Sequence, residues 1–258
     1  MAPEDFDEAQ MLELYHDWDS VCSFKVRMCL LEKQLQYQGQ IVDLIQFENL
    51  QPAYLALNPN GVVPTLKDGE DVIIESTIIN EYLDDKFNTP SLIPADPLAR
   101  ARMRILVKLQ DDVLYHAQRP AAFQLMVKRM LTNLSREQID ELVGAHPQPE
   151  RAAHFLNWAT GPVDPSVVDE AREKIKPVLA RLETALADGP WLVGKEFTLA
   201  DIAYAPFVNR LQRLMFHELW ADKPKLSAWI ERLVERPSFA EAAGPADQQM
   251  PCPADDAG

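Results

Sequence analysis

The 258-residue sequence predicts an α/β domain followed by an all-α domain. Three observations carry that expectation. Up to residue 87, short apolar runs alternate with helical patterns; residues 88–97, NTPSLIPADP, then hold three prolines; beyond them only helix-period patterns remain. The predicted divisions are an acidic tail at 1–9, an α/β domain at 10–87, a linker at 88–97, an all-α domain at 98–243 and a flexible tail at 244–258.

In the first domain MLELYH (11–16) and YQGQIVDLIQ (37–46) read as strands. Between them, Ser20–Lys33 sets Val26, Cys29 and Leu30 at helical spacing, with Lys25, Arg27 and Glu32 on other faces. A variable helical segment follows. VVPTLK (62–67) and DVIIE (71–75) then flank Asp68-Gly69-Glu70, a tight-turn signal that makes them a hairpin. Ser76–Phe87 closes the domain as a helix with Ile79, Tyr82 and Leu83 on one side and a good N-cap. In the second domain Leu98–Gln118, Ala121–Leu134, Ser135–Val143, Asp164–Leu186, Asp201–Arg213 and Lys225–Val234 are helical patterns. Thr198-Leu-Ala-Asp201 has the form of a capping box, hydroxyl and carboxylate each closing a backbone N–H of the first turn.

Composition narrows the function classes. Twenty-five Lys and Arg against 40 Asp and Glu leave a formal net charge of −15, a field that repels phosphate backbones and anionic lipid. No apolar run approaches the roughly 18–20 residues of a membrane helix, and the acidic start MAPEDFDEAQ is unlike a secretory signal, so a cytoplasmic protein is expected. Cys22, Cys29 and Cys252 are too few for a disulfide framework. On one helix, Cys22 and Cys29 would stand about 10 Å apart, beyond bridging distance. The histidines at 16, 116, 146, 154 and 217 are scattered, no CxxC or HExxH occurs, and no metal site is expected. Nor is there a GxGxxG or GxxxxGK loop to cradle phosphate.

Four pieces of the first domain carry chemistry. Val63-Pro64 stands where a strand should begin; its bland reading is an edge strand or turn, its functional one a cis peptide that turns the Val63 N–H and C=O toward an extended peptide ligand. Glu75-Ser76 lies at a strand-to-helix junction. There it either caps the helix or clamps an amino-acid head, with Ser76 and the helix N-terminus on a carboxylate and Glu75 on an ammonium. Ser20-Val21-Cys22-Ser23 opens the first helix, where positive dipole character favours a thiolate; the bland reading of Cys22 is a small inert residue. Asn49 offers a polar side chain to a second ligand carboxylate.

With these residues in view, LNPNGVVPTL, then ESTIINEYLDDKF and, far downstream, FTLADIAYAP resemble the glutathione transferase family over about residues 11–240. The resemblance implies a thioredoxin-like N-terminal domain that binds glutathione, a helical domain that shapes the second-substrate pocket, and a dimer of like or unlike subunits with the site near the interface. It puts the family's backbone clamp on Val63 and Pro64, its γ-glutamyl clamp on Glu75 and Ser76, and its glycine-carboxylate contact near Asn49. Val62 departs from the pattern, since many members carry Lys or Gln there.

The thiol-activating group stays open between Ser20, Cys22 and Ser23, with Tyr15 read as a strand residue. Ser20-x-Cys22-Ser23 resembles the S-x-C-S run of zeta-type enzymes; aligned to serine-type bacterial β-aryl etherases, the activating position is Ser23. A hydroxyl lowers the glutathione thiol's pKa by donating a hydrogen bond to the thiolate, whereas a cysteine could form a mixed disulfide. Residues 135–188, with HPQPERAAHF and the aromatic Phe155 and Trp158, are similar to bacterial β-aryl etherases, which cleave lignin-derived aryl ethers with glutathione. They read either as a lid over an aromatic substrate or as an extra helix that merely packs. The expected function is therefore glutathione attack on an aromatic electrophile. The alternatives are a Cys22-dependent dehalogenase, isomerase or thioether lyase, and a non-catalytic subunit of the same fold.

Overall fold

Alternation in LELYH builds the central strand. Leu12, Leu14 and His16 of β1 (Leu12–His16) turn into the core while Glu13 and Tyr15 stay half-exposed. The structure is a computed structural model describing residues 11–131, 135–144, 149, 150, 153, 156, 162–253 and 255. β2 (Tyr37–Ile41) pairs with β1 in parallel, β3 (Thr65–Asp68) pairs with β1 antiparallel, and β4 (Asp71–Ile74) completes the order β2-β1-β3-β4. Gly69, at φ +61°, makes the tight turn between β3 and β4.

All four strands are shorter than the sequence predicts, β1 and β4 by a single residue. β3 begins at Thr65 rather than at residue 62, because Pro64 has no N–H for the ladder. β2 stops at Ile41; just beyond it the Asp43 carboxylate accepts the N–H groups of Ile45 and Gln46 and bends the chain away. A short 3-10 turn (Glu48–Leu50) and α2 (Pro52–Leu55) form the variable segment.

α1 (Val21–Glu32) crosses to the far side of β1 and α3 (Ser76–Lys86) packs beside it. The faces that carry Lys25 and Arg27 are buried as well. Every residue from Ser23 to Leu30 is buried, since α1 also touches two helices of the second domain. A helix enclosed on all sides has no polar face, so its charged residues end in the core with partners.

The second domain opens as one helical run, α4 (Pro97–Leu109), a π-helical turn (Gln110–Leu114), α5 (Tyr115–Ala122), a second π-helical turn (Phe123–Val127) and α6 (Lys128–Leu131). The break expected near residue 120 does not occur: Pro120 is inside α5, and the wider turns on either side take up its missing backbone bond. α7 (Arg136–Gly144), α8 (Pro165–Ala185), α9 (Leu199–Arg213), α10 (Pro224–Val234) and α11 (Pro237–Ala243) follow. The capping box forms as predicted, Ala200 N–H donating to Thr198 Oγ1 (3.2 Å) and Thr198 N–H to Asp201 Oδ2 (3.0 Å).

One apolar core runs through both domains, from Leu14, Val26, Leu66 and Ile79 to Met103, Ile202, Phe207 and Trp229. The linker is anchored to it. Leu92 is buried, its carbonyl accepts Leu199 N–H at 3.0 Å, and Lys33 Nζ reaches both Asp84 Oδ1 and Pro90 O at 2.7 Å. The C-terminal segment departs from its expected flexibility: Cys252 is 2 % exposed, and Gly244 lies so close to the Trp18 ring that a Cβ there would stand 2.2 Å from Cε3. Phe155 and Trp158 lie outside the described residues.

Candidate active site

The N-termini of α1 and α3 meet beside the end of β1. Ser20 is the N-cap of α1; its backbone is extended (φ −72°, ψ 116°) and its Oγ accepts the Ser23 N–H at 3.2 Å, which leaves its own hydroxyl proton free to donate. Ser20 is half-buried, whereas Ser23 is fully buried with Oγ against the Asp17 N–H at 3.4 Å. Between them Cys22 lies beside Ser76, the first residue of α3, which favours its ionised form.

Burial pushes the Cys22 thiol above the usual cysteine range, with Lys25 and Ser76 opposing and Asp111 and Glu75 adding to the rise. Burial at Cys22 thus opposes the preference for a thiolate at a helix start.

At the start of α3, Glu75 is exposed and held at φ +69°, uncommon for a residue with a side chain, and its carboxylate does not cap the helix. The first-turn N–H groups of α3 therefore point past Ser76 without a side-chain cap, a geometry suited to an anion.

Val63-Pro64 is a cis peptide. Tyr54 and Asn58 fix the turn before it, the Tyr54 hydroxyl donating to Val62 O (2.7 Å) and Asn58 Nδ2 to the same carbonyl (2.8 Å). The backbone N–H and C=O of Val63 find no partner among the described residues.

Asn49 does not fit its expected part. It is buried and its Nδ2 donates to Gly61 O at 2.7 Å, so the amide braces the loop ahead of Val63 rather than facing a ligand carboxylate. Gly61, at φ +59°, has Leu50 Cδ2 3.0 Å from where a Cβ would be, which is why a glycine sits in that turn.

Four residues that the sequence reading did not select complete the surroundings. Lys25 Nζ donates to Thr77 Oγ1 (2.8 Å), Gln110 Oε1 (3.0 Å) and Asp111 Oδ1 (3.0 Å), and Thr77 Oγ1 donates to Asp111 Oδ2 (2.6 Å). This network ties α1 and the start of α3 to the π-helical turn of the second domain. The available signal was a lysine one turn into a largely apolar helix.

Comparison with known proteins fits this arrangement. Residues 14–91 match the glutathione S-transferase N-terminal domain, and residues 165–232 match the glutathione S-transferase C-terminal domain. The chain is 33 % identical to the protein LigF of Sphingobium sp. over 237 residues, 89 % of this chain and 92 % of that one.

The chain belongs to the glutathione S-transferase family.

Use of glutathione comes with that membership. The crystal structure of beta-etherase LigF from Sphingobium sp. superposes with a TM-score of 0.82 at 32 % identity, covering 90 % of this transferase and 98 % of that chain. The tetrachloro-p-hydroquinone reductive dehalogenase of Sphingobium chlorophenolicum is 28 % identical over 243 residues, 90 % of this chain and 95 % of that one. The thioredoxin-like domain and the helical domain are thus those of the glutathione transferase fold.

Proposed function

We propose that this transferase holds the glutathione thiolate with the Ser20 hydroxyl and directs it at aromatic electrophiles, with β-aryl ethers of lignin-derived compounds as the substrate class. The observation that carries the reading is the free hydroxyl proton of Ser20 at the meeting point of the α1 and α3 N-termini. Similarity to a beta-etherase over nine-tenths of the chain supports the substrate class.

Glutathione lies extended along Val63, its γ-glutamyl end at Glu75 and Ser76. The thiol proton leaves to solvent, and the Ser20 O–H donates to the sulfur and holds it ionised. The sulfur forms a bond to the β-carbon, the carbon–oxygen bond breaks, and the phenolate departs with the electron pair and takes a proton from water. The protein contributes proximity and a lowered thiol pKa.

A second reading keeps Cys22 as the reacting group, favoured by its contact with Ser76 and by the likeness to the reductive dehalogenase. Its raised thiol pKa argues against it. We further read the protein as a cytoplasmic dimer. Leu98 and Ile105 share a stripe of α4, Arg104 Nη2 joins that helix to Glu81 of α3 at 2.8 Å, and Ile78, one turn before Glu81, is exposed as well.

The test is a titration with glutathione followed by thiolate absorbance near 240 nm. Loss of thiolate in Ser20→Ala, with roughly 100-fold lower turnover of a β-aryl ether, is expected. Ser23→Ala and Cys22→Ala should retain both signals. Thiolate and turnover retained in Ser20→Ala but lost in Cys22→Ala would transfer the role to the cysteine.

A further inference from the structure

Asp19, immediately before Ser20, is the meeting point of three parts of the chain. Its side chain is 5 % exposed and receives Arg213 Nη1 at 2.5 Å and Arg210 Nη2 at 3.5 Å, both from the last turn of α9. Its other carboxylate oxygen accepts the backbone N–H of Met250 from the C-terminal segment. Arg210 Nη2 also donates to the Asp19 carbonyl.

That last contact bears directly on Ser20. The Asp19 carbonyl and the Ser20 N–H belong to one planar peptide unit. Arg210 grips the unit at the carbonyl, and the Ser20 N–H donates to Asp17 O at 3.3 Å at the other end. With the plane held at both ends, and the Ser20 carbonyl on the other side of Cα held by the Phe24 N–H at 2.9 Å, the direction of the Ser20 Cα–Cβ bond is set. Carboxylates buried against guanidiniums contribute little net stability, because desolvation offsets attraction, but they define one geometry. The same loop is braced from below by Arg27, which donates to Asp17 O (2.9 Å), Trp18 O (3.0 Å) and, on α11, Ala242 O (2.9 Å).

We propose that Asp19 is a positioning residue for the thiol-activating hydroxyl, and that the C-terminal segment around Met250, by holding Asp19, is part of the glutathione-activating apparatus. The inference rests on the reading of Ser20 as that hydroxyl. A displacement of about 1 Å in such a group costs on the order of 100-fold in rate, so a modest loosening of the peptide plane is measurable.

The experiment compares the pKa of the enzyme-bound glutathione thiol, read at 240 nm, in wild type, Ser20→Ala, Asp19→Asn and Met250→Pro, each as the full-length chain. Met250→Pro removes the N–H that reaches Asp19, and Met250→Ala, which keeps that N–H, accounts for the half-buried side chain lost with it. The preceding Gln249 is already extended (φ −101°, ψ 144°), as a residue before proline must be. Asp19→Asn is expected to raise the bound-thiol pKa by about one unit, a tenfold loss of thiolate, and to lower kcat in proportion while the KM for glutathione stays within about twofold. Met250→Pro should move both in the same direction by about threefold, half a pKa unit. Thr198→Ala serves as the control for a purely structural effect: it lowers the melting temperature and leaves the thiol pKa alone.

Wild-type thiol pKa in Asp19→Asn and Met250→Pro, with thiolate lost in Ser20→Ala, overturns the positioning role and leaves the proposed function standing. Should Asp19→Asn fail to fold, Met250→Pro decides the matter alone. Thiolate retained in Ser20→Ala removes the underlying reading and this inference with it.

Discussion

His16 lies at the foot of the loop that carries Ser20, with Arg27 Nη1 3.1 Å from its Nδ1. Burial, reinforced by the Arg27 charge, lowers its pKa from 6.5 to about 3, so the ring is neutral and Nδ1 is the acceptor. An unfolded chain takes up this proton below pH 6.5 while the folded chain refuses it down to about 3, so stability is full above that window and declines as pH falls through it. Between pH 7.5 and 5 the wild type should lose about 2 kcal/mol more than His16→Gln. Asp17, its pKa raised by burial, acts in the opposite direction in both proteins and cancels in the comparison. Denaturant unfolding of the pair across that range checks the sign; parallel profiles would show that His16 is not the titrating group. At this scale the sequence was legible where a residue type is unusual for its place, as at Val63-Pro64, whose cis peptide the structure contains. It was silent where partners lie far along the chain: nothing near Lys25 announces Asp111, and nothing near Asn49 says that its amide is committed to Gly61 O.

Among the elements, α9 shows how a local motif becomes a tertiary one. The Asp201 carboxylate that closes the capping box also accepts Leu192 N–H (3.0 Å) and Trp229 Nε1–H (2.8 Å), so one fully buried side chain joins the start of α9, the preceding loop and α10. Thr198→Ala should cost about 1–2 kcal/mol, the usual value of an N-cap. Asp201→Ala should cost about 3–5 kcal/mol, since it strands several buried donors at once. Chemical denaturation of the two variants tests the ordering; equal losses would mean that Asp201 does no more than cap. The box itself was readable from Thr198 and Asp201, being a four-residue pattern, and so were the strands and helices with a clear period. The run from Pro97 to Leu131 was read as helical but divided at Pro120, because its π-helical turns shift the period there. Residues 244–253 were also misread, since a low-complexity composition hides contacts made through main-chain atoms such as Met250 N–H.

In the whole molecule, the continuous core and the anchored linker make the two domains one packed body. The residues proposed to act on glutathione belong to the first domain, while α9 and the C-terminal segment hold Asp19 beside them, so the α/β half alone lacks those contacts. The exposed residues Ile78 and Ile105 should be covered when two subunits associate. The double variant Ile78→Glu with Ile105→Glu is expected to shift the sedimentation coefficient from dimer to monomer at micromolar concentration. An unchanged coefficient would place the interface elsewhere or dispense with it.

Arg27 grips its neighbours through the carbonyls of Asp17, Trp18 and Ala242. A carbonyl is offered by any amino acid, so these three bonds make no demand on the side chains at positions 17, 18 and 242, while the guanidinium itself cannot be replaced. Of the three residues, only Trp18 adds a side-chain contact with Arg27, its ring centroid 4.6 Å from Cζ. Divergent copies of such a gene would then look unrelated at the chain terminus and still close it onto the same loop. Pairwise sequence covariation, which needs both partners to change together, would pass over the contact altogether.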